Sequence, residues 1–480
     1  MMRNFTNISL SIFLALFLAG AVPAQSELPT INSNAGVISI QDGPELRRNV
    51  WRLAPEANPD VYEARLINGK PHTVTFVTDI DKISFTVEEG KKYDFVIMYD
   101  GKLCYTQIVG TRFIPAAVFD KKYQDRFRGK TTVEVPEVYE MVNIAIALTS
   151  TAREDNGLVY KRSPYYSRVI THFERYKDHP LVRALDEKLR QNRNQYFSLK
   201  MNGYSFEFES GKIVRSKVYD RTGFSGEVSN SLLPFLSEMR SFANETKFRE
   251  FFAANRKTYK DQIEFFQKEA DLAGMKRWLD RNFPNSSDYD TYKIVFSPLV
   301  AYNQSVTWLE SDGFKELQPH VNFPYAEDLK RHGSALTLSP EGEIIYRGNI
   351  VFTEMNHGYI NPEAGKYADR ITQAVSNRAY WVADRYGDDY YPGMATFNEY
   401  MNWGLVSLRI MDHAPEKDRQ QMIAAVEKMM VESRAFPRFA EFDKFLIDLY
   451  VNRESGETLA DIFPKIIDWF EARNAASATQ

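Results

Sequence analysis

The spacing of apolar residues changes character near residue 130, and that change limits what the chain can fold into. From about Ala35 to Gly110, apolar and polar residues alternate in short runs. "VYEARLI", "HTVTFV", "DKISFTV", "YDFVIMY" and "KLCYTQIV" each read as a strand. Asn68-Gly69 follows the first, and Asp100-Gly101 separates the last two. Such dipeptides suit two-residue turns, because both central residues take positive φ. Past residue 130, "PEVYEMVNIAIAL" places Val138, Met141, Val142, Ile144, Ala145 and Leu148 at helical spacing. The expectation is an α+β chain. A small β-sandwich or barrel covers residues 25–130, a larger and mostly helical domain covers 131–470, and 471–480 is a frayed tail.

Within the larger part, "SPYYSRVITHFERYKDHPLVRALDEKLRQN" reads as helix broken at Pro180. "YFSLKMNGYSFEFESGKIVRS" reads as a hairpin turning at Asn202-Gly203, and residues 246–283 as a long amphipathic helical region interrupted near Gly274. "YKIVFSPLVAY" reads as a buried strand, with "SALTLSP" and "EIIYRG" as further strands. From "NIVFTEMNHGYI" onward the spacing is helical.

The first residues carry an address. Arg3 precedes an apolar run from Ile8 to about Ala21, and "VPAQ" places small residues at Val22 and Ala24. That order reads as a secretory signal peptide, residues 1–24, cut after Ala24. The run is shorter than the roughly 20 residues a membrane span needs, and no later stretch is long and apolar enough to span. The expected location is the periplasm or the extracellular space. Cys104 is the only cysteine, so no intramolecular disulfide can form and a thiolate zinc site is excluded. A net charge of −4 gives no reason to expect a nucleic-acid partner. No phosphate-cradling glycine loop and no G-x-S-x-G occur, which disfavours nucleotide use and α/β-hydrolase chemistry.

One stretch carries candidate chemistry. "TEMNH" looks like the helical H-E-x-x-H zinc motif with its first histidine replaced by Thr353. On a helix, Thr353, Glu354 and His357 share a face. Gly358 and Asn361-Pro362 discourage the helix from continuing. Forty-two residues after His357, Glu399 sits near the start of a second helical pattern, "TFNEYMNWGLVSLRI". "DRYGDDYYPG", with Asp384, Asp388 and Asp389, fits a calcium loop poorly and reads as a solvated loop.

"VFTEMNHGYINPEA", "KIVFSPLVAYNQS", "FNEYMN", "VPEVYEMVNIAIALT" and "KKYDFVIMYDGK" together resemble the domain of unknown function 4932 family. That family looks like gluzincin metallopeptidases. The resemblance implies a zincin-like fold for the larger domain and hydrolysis of peptide or protein substrates with Zn2+. It implies Glu354 as general base, His357 and Glu399 as metal ligands, and a departure at Thr353. A threonine hydroxyl is a poor zinc ligand, and a catalytic zinc needs three protein ligands. Three outcomes remain open. His320, His332 or His413 replaces the missing histidine, or Glu354 itself becomes a ligand, or no metal binds and the residues form a polar cluster. In the last case the chain is an inactive relative that binds a peptide or envelope partner.

Overall fold

The computed structural model describes residues 28–57, 59–224, 227–285, 289–302, 304–327, 336–383 and 393–477. The chain is mixed α+β, strand-rich at first and mostly helical afterwards. It divides into two compact units, residues 1–114 and 115–480.

The first unit holds eight strands: β1 (Thr30–Ser33), β2 (Val37–Asp42), β3 (Glu45–Arg52), β4 (Asp60–Ile67), β5 (His72–Val77), β6 (Lys82–Val87), β7 (Lys92–Tyr99) and β8 (Lys102–Phe113). They form two four-stranded sheets, ordered β1-β7-β8-β4 and β3-β2-β5-β6. Alternate residues of each sheet turn inward to one apolar core, where Phe76 of β5 meets Phe95 of β7 edge to face at 4.9 Å. Asp100 and Gly101 (φ 49° and 70°) close the β7–β8 hairpin. Asn68 and Gly69 also take positive φ, yet they carry the chain from β4 in one sheet to β5 in the other. Cys104 is buried in this core as a free thiol. His72 contacts Asp42, whose other carboxylate oxygen accepts from the Tyr62 hydroxyl at 2.7 Å.

The second unit begins with a segment carrying helix α1 (Lys121–Phe127), capped by Asp120. Phe119 and Tyr123 of this segment cluster with Tyr219, Leu309 and Phe314. Strand β9 (Thr131–Glu134) follows, then helix α2 (Glu137–Leu148) and, later, helix α3 (Gln195–Asn202). The hairpin β10 (Phe206–Glu209) and β11 (Lys212–Arg215) turns at Ser210-Gly211 rather than Asn202-Gly203. Asn202 ends α3 instead, and its side-chain oxygen accepts from the backbone of Thr222 and Gly223. Residues 248–282 are helical in pieces. The last piece is α4 (Leu272–Asn282), and the break falls at Asp271, whose φ is 49° and whose side chain caps Gly274. Gly274 therefore lies inside the first turn, not at the interruption.

The second sheet has the order β13-β14-β12-β9, with β12 (Thr291–Ser297), β13 (Ser305–Ser311) and β14 (Phe314–Asn322). β9, β12 and β14 run parallel, and β13 is an antiparallel edge strand. The two faces of β14 differ because side chains alternate. Leu317 faces a helix at Gly358, while Glu316, Gln318 and His320 form a hydrogen-bonded row among themselves.

"EIIYR" is helical, not a strand. Helix α5 (Pro340–Arg347) starts at Ser339, which accepts from Gly342, with Pro340 in its first turn and Glu341 and Glu343 at its positive end. These start signals override the strand preference of Ile344 and Ile345. Helix α6 (Asn349–Gly365) follows and runs through Pro362 rather than stopping at Gly358. Pro362 removes one backbone bond, but Tyr359, Ile360, Glu363 and Ala364 are buried, and that packing holds the last turns. "SALTLSP" contributes no strand among its described residues, and "DRYGDDYYPG" lies almost wholly outside them. Helix α7 (Met394–His413) packs along α6.

Behind α7, Gly404 allows close approach of the helix Phe439–Val451: a Cβ there would stand 2.5 Å from Leu446 and 3.0 Å from Phe442. Gly404→Ala is expected to destabilise the second unit by about 1–3 kcal/mol, the usual range for overpacking. Urea unfolding followed by circular dichroism checks this, and an unchanged midpoint would refute it. No helix among the described residues is long and apolar enough to cross a membrane.

Candidate functional site

Helices α6 and α7 bring the predicted residues together. His357 Nε2 lies 3.9 Å from Glu399 Oε1, although the two are far apart in sequence. Both side chains are partly reachable, at 19% and 12% of full exposure. Asn361, one turn along α6, places Oδ1 3.3 Å from His357 Nδ1. The amide nitrogen of Asn402, on α7, stands 3.0 Å from Nδ1 and 3.1 Å from Nε2. Asn356 ties the helices by donating to the Asn402 carbonyl at 2.9 Å. The ring is thus held by both helices.

Glu399 has a second partner. Arg434 Nη2 donates to Glu399 Oε2 at 2.9 Å, and the guanidinium lies 5.2 Å over the ring of Trp403. One carboxylate oxygen faces the imidazole and the other is held by the guanidinium.

Thr353 is buried, and its hydroxyl donates to the Ile350 carbonyl at 2.8 Å, the local back-bond that threonine makes in helices. Glu354 is partly buried, and burial pushes its carboxyl above the ordinary range. His357 lowers it, Glu399 raises it, and Arg434 and Lys200 lower it.

Lys200 comes from α3 and is fully buried. Burial drives its ammonium down to about 7, with the negative charge of Glu354 pulling the other way. Its ammonium lies 5.3 Å from the ring centre of Tyr196 and 5.6 Å from that of Phe197. Its charge also reaches His320, which burial and then Lys200 hold well below the ordinary imidazole range.

A catalytic zinc needs three protein ligands about 2 Å away. Two donors, His357 and Glu399, stand close enough to meet at one ion after a small shift. The third position does not supply one, because the Thr353 hydroxyl is turned to the backbone. No three His, Cys, Asp or Glu side chains group around a point among the described residues. His320 is a sheet residue bonded to Gln318 at 3.0 Å. His413 sits at the far end of α7, about 21 Å along the axis from Glu399 at 1.5 Å per residue. His332 lies outside the described residues. Among the described residues the three-ligand set is therefore not filled.

Sequence reasoning missed Lys200, Arg434 and Asn402. Only Lys200 left a trace, as a lone charge inside the apolar run "YFSLKM".

No curated protein and no solved structure matches the chain. The family described as "Domain of unknown function (DUF4932)" matches residues 131–375, from β9 through α6 and past its end, stopping before Glu399 and Arg434. That span is just over half of the 480 residues, and the chain belongs to the DUF4932 family.

Proposed function

We propose that this chain is an exported, metallopeptidase-like protein that binds a peptide or protein segment at the α6–α7 site without hydrolysing it. The carrying observation is the third ligand position: Thr353 is closed onto Ile350, and Glu399 is held by Arg434. The partly exposed His357, Glu399 and Arg434 offer donors and acceptors suited to a polypeptide backbone or a polar side chain.

A second reading, zinc-dependent peptide hydrolysis, draws on the 3.9 Å approach of His357 to Glu399 with Glu354 on the preceding turn. Holding both ligands and base, it needs one further ligand from outside the described set.

One assay separates the two. The mature chain is incubated with a defined peptide mixture, binding is followed by fluorescence anisotropy and cleavage by mass spectrometry, each with and without chelator. The expected result is binding without cleavage, indifferent to chelator, and weakened about tenfold, or 1.4 kcal/mol, by Glu399→Ala. Chelator-sensitive cleavage would overturn the proposal in favour of hydrolysis.

A further inference from the structure

Three strands of the second unit's sheet run parallel, and in such sheets ligands are taken up beyond the carboxyl ends of the strands. β12 ends at Ser297 and β14 at Asn322. Beyond β12 the chain pairs with the segment that leaves the helix Ser150–Glu154: Tyr160 N donates to the Leu299 carbonyl at 2.7 Å, and Val159 bridges Val300. Beside this short ladder lies a cavity of about 280 Å³, lined by Asn156, Val159, Tyr160, Lys161, Arg162 and Tyr302. It shares no residue with the α6–α7 site.

Tyr160 is the fixed part of its wall. Tyr325, just past β14, lies parallel to that ring with centres 4.5 Å apart and donates its hydroxyl to the Pro298 carbonyl at 3.1 Å. The Arg162 guanidinium lies 4.9 Å from the centre of the Tyr160 ring, and its Nη2 donates to the Tyr302 hydroxyl at 3.0 Å. Tyr160 is buried and Arg162 is exposed, so the guanidinium is oriented by two neighbours at an open mouth. Lys161 is held by its own segment: Nζ donates to the Arg153 carbonyl and to Asn156 Oδ1 at 3.1 Å. With Oδ1 engaged, Asn156 presents its amide N–H groups as donors.

The geometry points to a second ligand site here, one that takes a small acid: a carboxylate attached to a flat ring or apolar body.

Three features select that chemistry. A guanidinium offers parallel N–H groups that match the two oxygens of a carboxylate, and holding it against a ring beforehand reduces the entropy lost on binding. Among the described lining residues none is acidic, and Lys161 is engaged by nearby acceptors, which leaves Arg162 as the cation the cavity presents. One positive charge suits a monoanion better than a phosphate dianion. Val159, Tyr160 and Tyr302 make the rest of the wall apolar and aromatic, and the space suffices for a ring, since about 150 Å³ holds benzene.

Calorimetric titration of the full chain with benzoate, benzamide and phenyl phosphate tests this on wild type and Arg162→Gln, with thermal unfolding confirming that both are folded. The expected result is benzoate bound at least about tenfold more tightly than benzamide, the worth of one hydrogen bond to a charged group, with that preference lost in Arg162→Gln. If Arg162→Gln does not fold, Tyr302→Phe takes its place; it releases the guanidinium and should weaken benzoate but not benzamide.

Competition identifies the source of the carboxylate. Displacement of benzoate by a short peptide ending in phenylalanine, but not by its carboxamide, assigns a chain terminus. Displacement by neither assigns a free small acid, and both results keep the carboxylate. Displacement by acid and carboxamide alike would overturn the inference. So would absent benzoate binding, equal affinity for benzoate and benzamide, tighter binding of phenyl phosphate than of benzoate, or an Arg162→Gln protein that keeps the preference.

Discussion

Lys293→Met is expected to lower the unfolding free energy by about 3–5 kcal/mol, the range for removing one partner of a buried ion pair. Lys293 Nζ on β12 is 3.6 Å from Glu316 Oε2 on β14, and neither side chain reaches solvent to any extent. The ammonium donates to the hydroxyls of Tyr123 at 2.5 Å and Tyr219 at 2.9 Å. The rings of Phe127 and Tyr123 stand 4.2 Å and 4.8 Å from it, so it sits in an aromatic cage built by α1 and the chain near residue 219. Burial pushes the Glu316 carboxyl up, and Lys293 is the first of the groups that hold it down. Without Lys293 that carboxyl titrates higher still. Its folded value then exceeds its unfolded value further, so stability is kept at low pH and lost as pH rises through the folded value. The loss should therefore be larger at pH 9 than at pH 5. The double variant Lys293→Met with Glu316→Gln should recover at least half of it, because no buried charge is left alone. Urea unfolding of both variants at the two pH values checks this. Equal losses in single and double variants would mean that packing, not charge, holds the cluster.

Glu140→Gln is expected to change the pH dependence of stability by about 4 kcal/mol between pH 4.5 and pH 9, at about 1.4 kcal/mol per unit of displacement. Glu140, on α2, is fully buried; Oε1 accepts from the Tyr165 hydroxyl at 2.7 Å, and Oε2 makes no hydrogen bond of normal geometry among the described residues. Burial pushes its carboxyl up to about 8, with Ser297 and Tyr165 lowering it in part. The folded protein thus holds a proton between about pH 4.5 and 8 that the unfolded chain has released. Stability from this group is complete below pH 4.5 and falls as pH rises through about 8. Lys200 acts with the opposite sign. Its folded value is depressed to about 7, so its contribution grows from there toward the ordinary lysine range. Subtracting wild type from Glu140→Gln cancels the Lys200 contribution. Thermal unfolding across this range measures the difference, and parallel profiles for the two proteins would contradict a buried acid at this position.

The first unit was legible from β4 onward because strands such as β4, β5 and β8 bury one face, so period-two alternation writes the register directly into the sequence. The pairing of strands was not, since Asn68-Gly69 has the turn conformation of a hairpin and links strands of different sheets. "EIIYR" misled through its two adjacent β-branched residues; the deciding information was the Ser339-Pro340 start, which lies outside the apolar run. Pro362 misled because a helix packed on both sides tolerates a lost backbone bond that an isolated helix would not. At the site, His357 and Glu399 could be paired in advance only through the resemblance to gluzincins, which take a carboxylate from a second helix, and the structure brings the two within 3.9 Å. Lys200 and Arg434 could not, because their approach depends on how α3 and the turn after Met429–Ser433 meet the α6–α7 pair, and no local pattern encodes that.

The parallel ladder between β9 and β12 has a consequence for how the second unit assembles. It pairs Thr131 with Tyr292 and Glu134 with Val295, so the strand that opens the sheet waits for one made much later. Helix α2, which follows β9 at once, buries eleven of its twelve residues in the finished fold. Most of that cover comes from elements made soon after α2, between residues 150 and 209, and its side toward β12 waits. The sheet is therefore closed by a non-local pairing, the kind of contact whose loop-closure entropy slows folding relative to local ones.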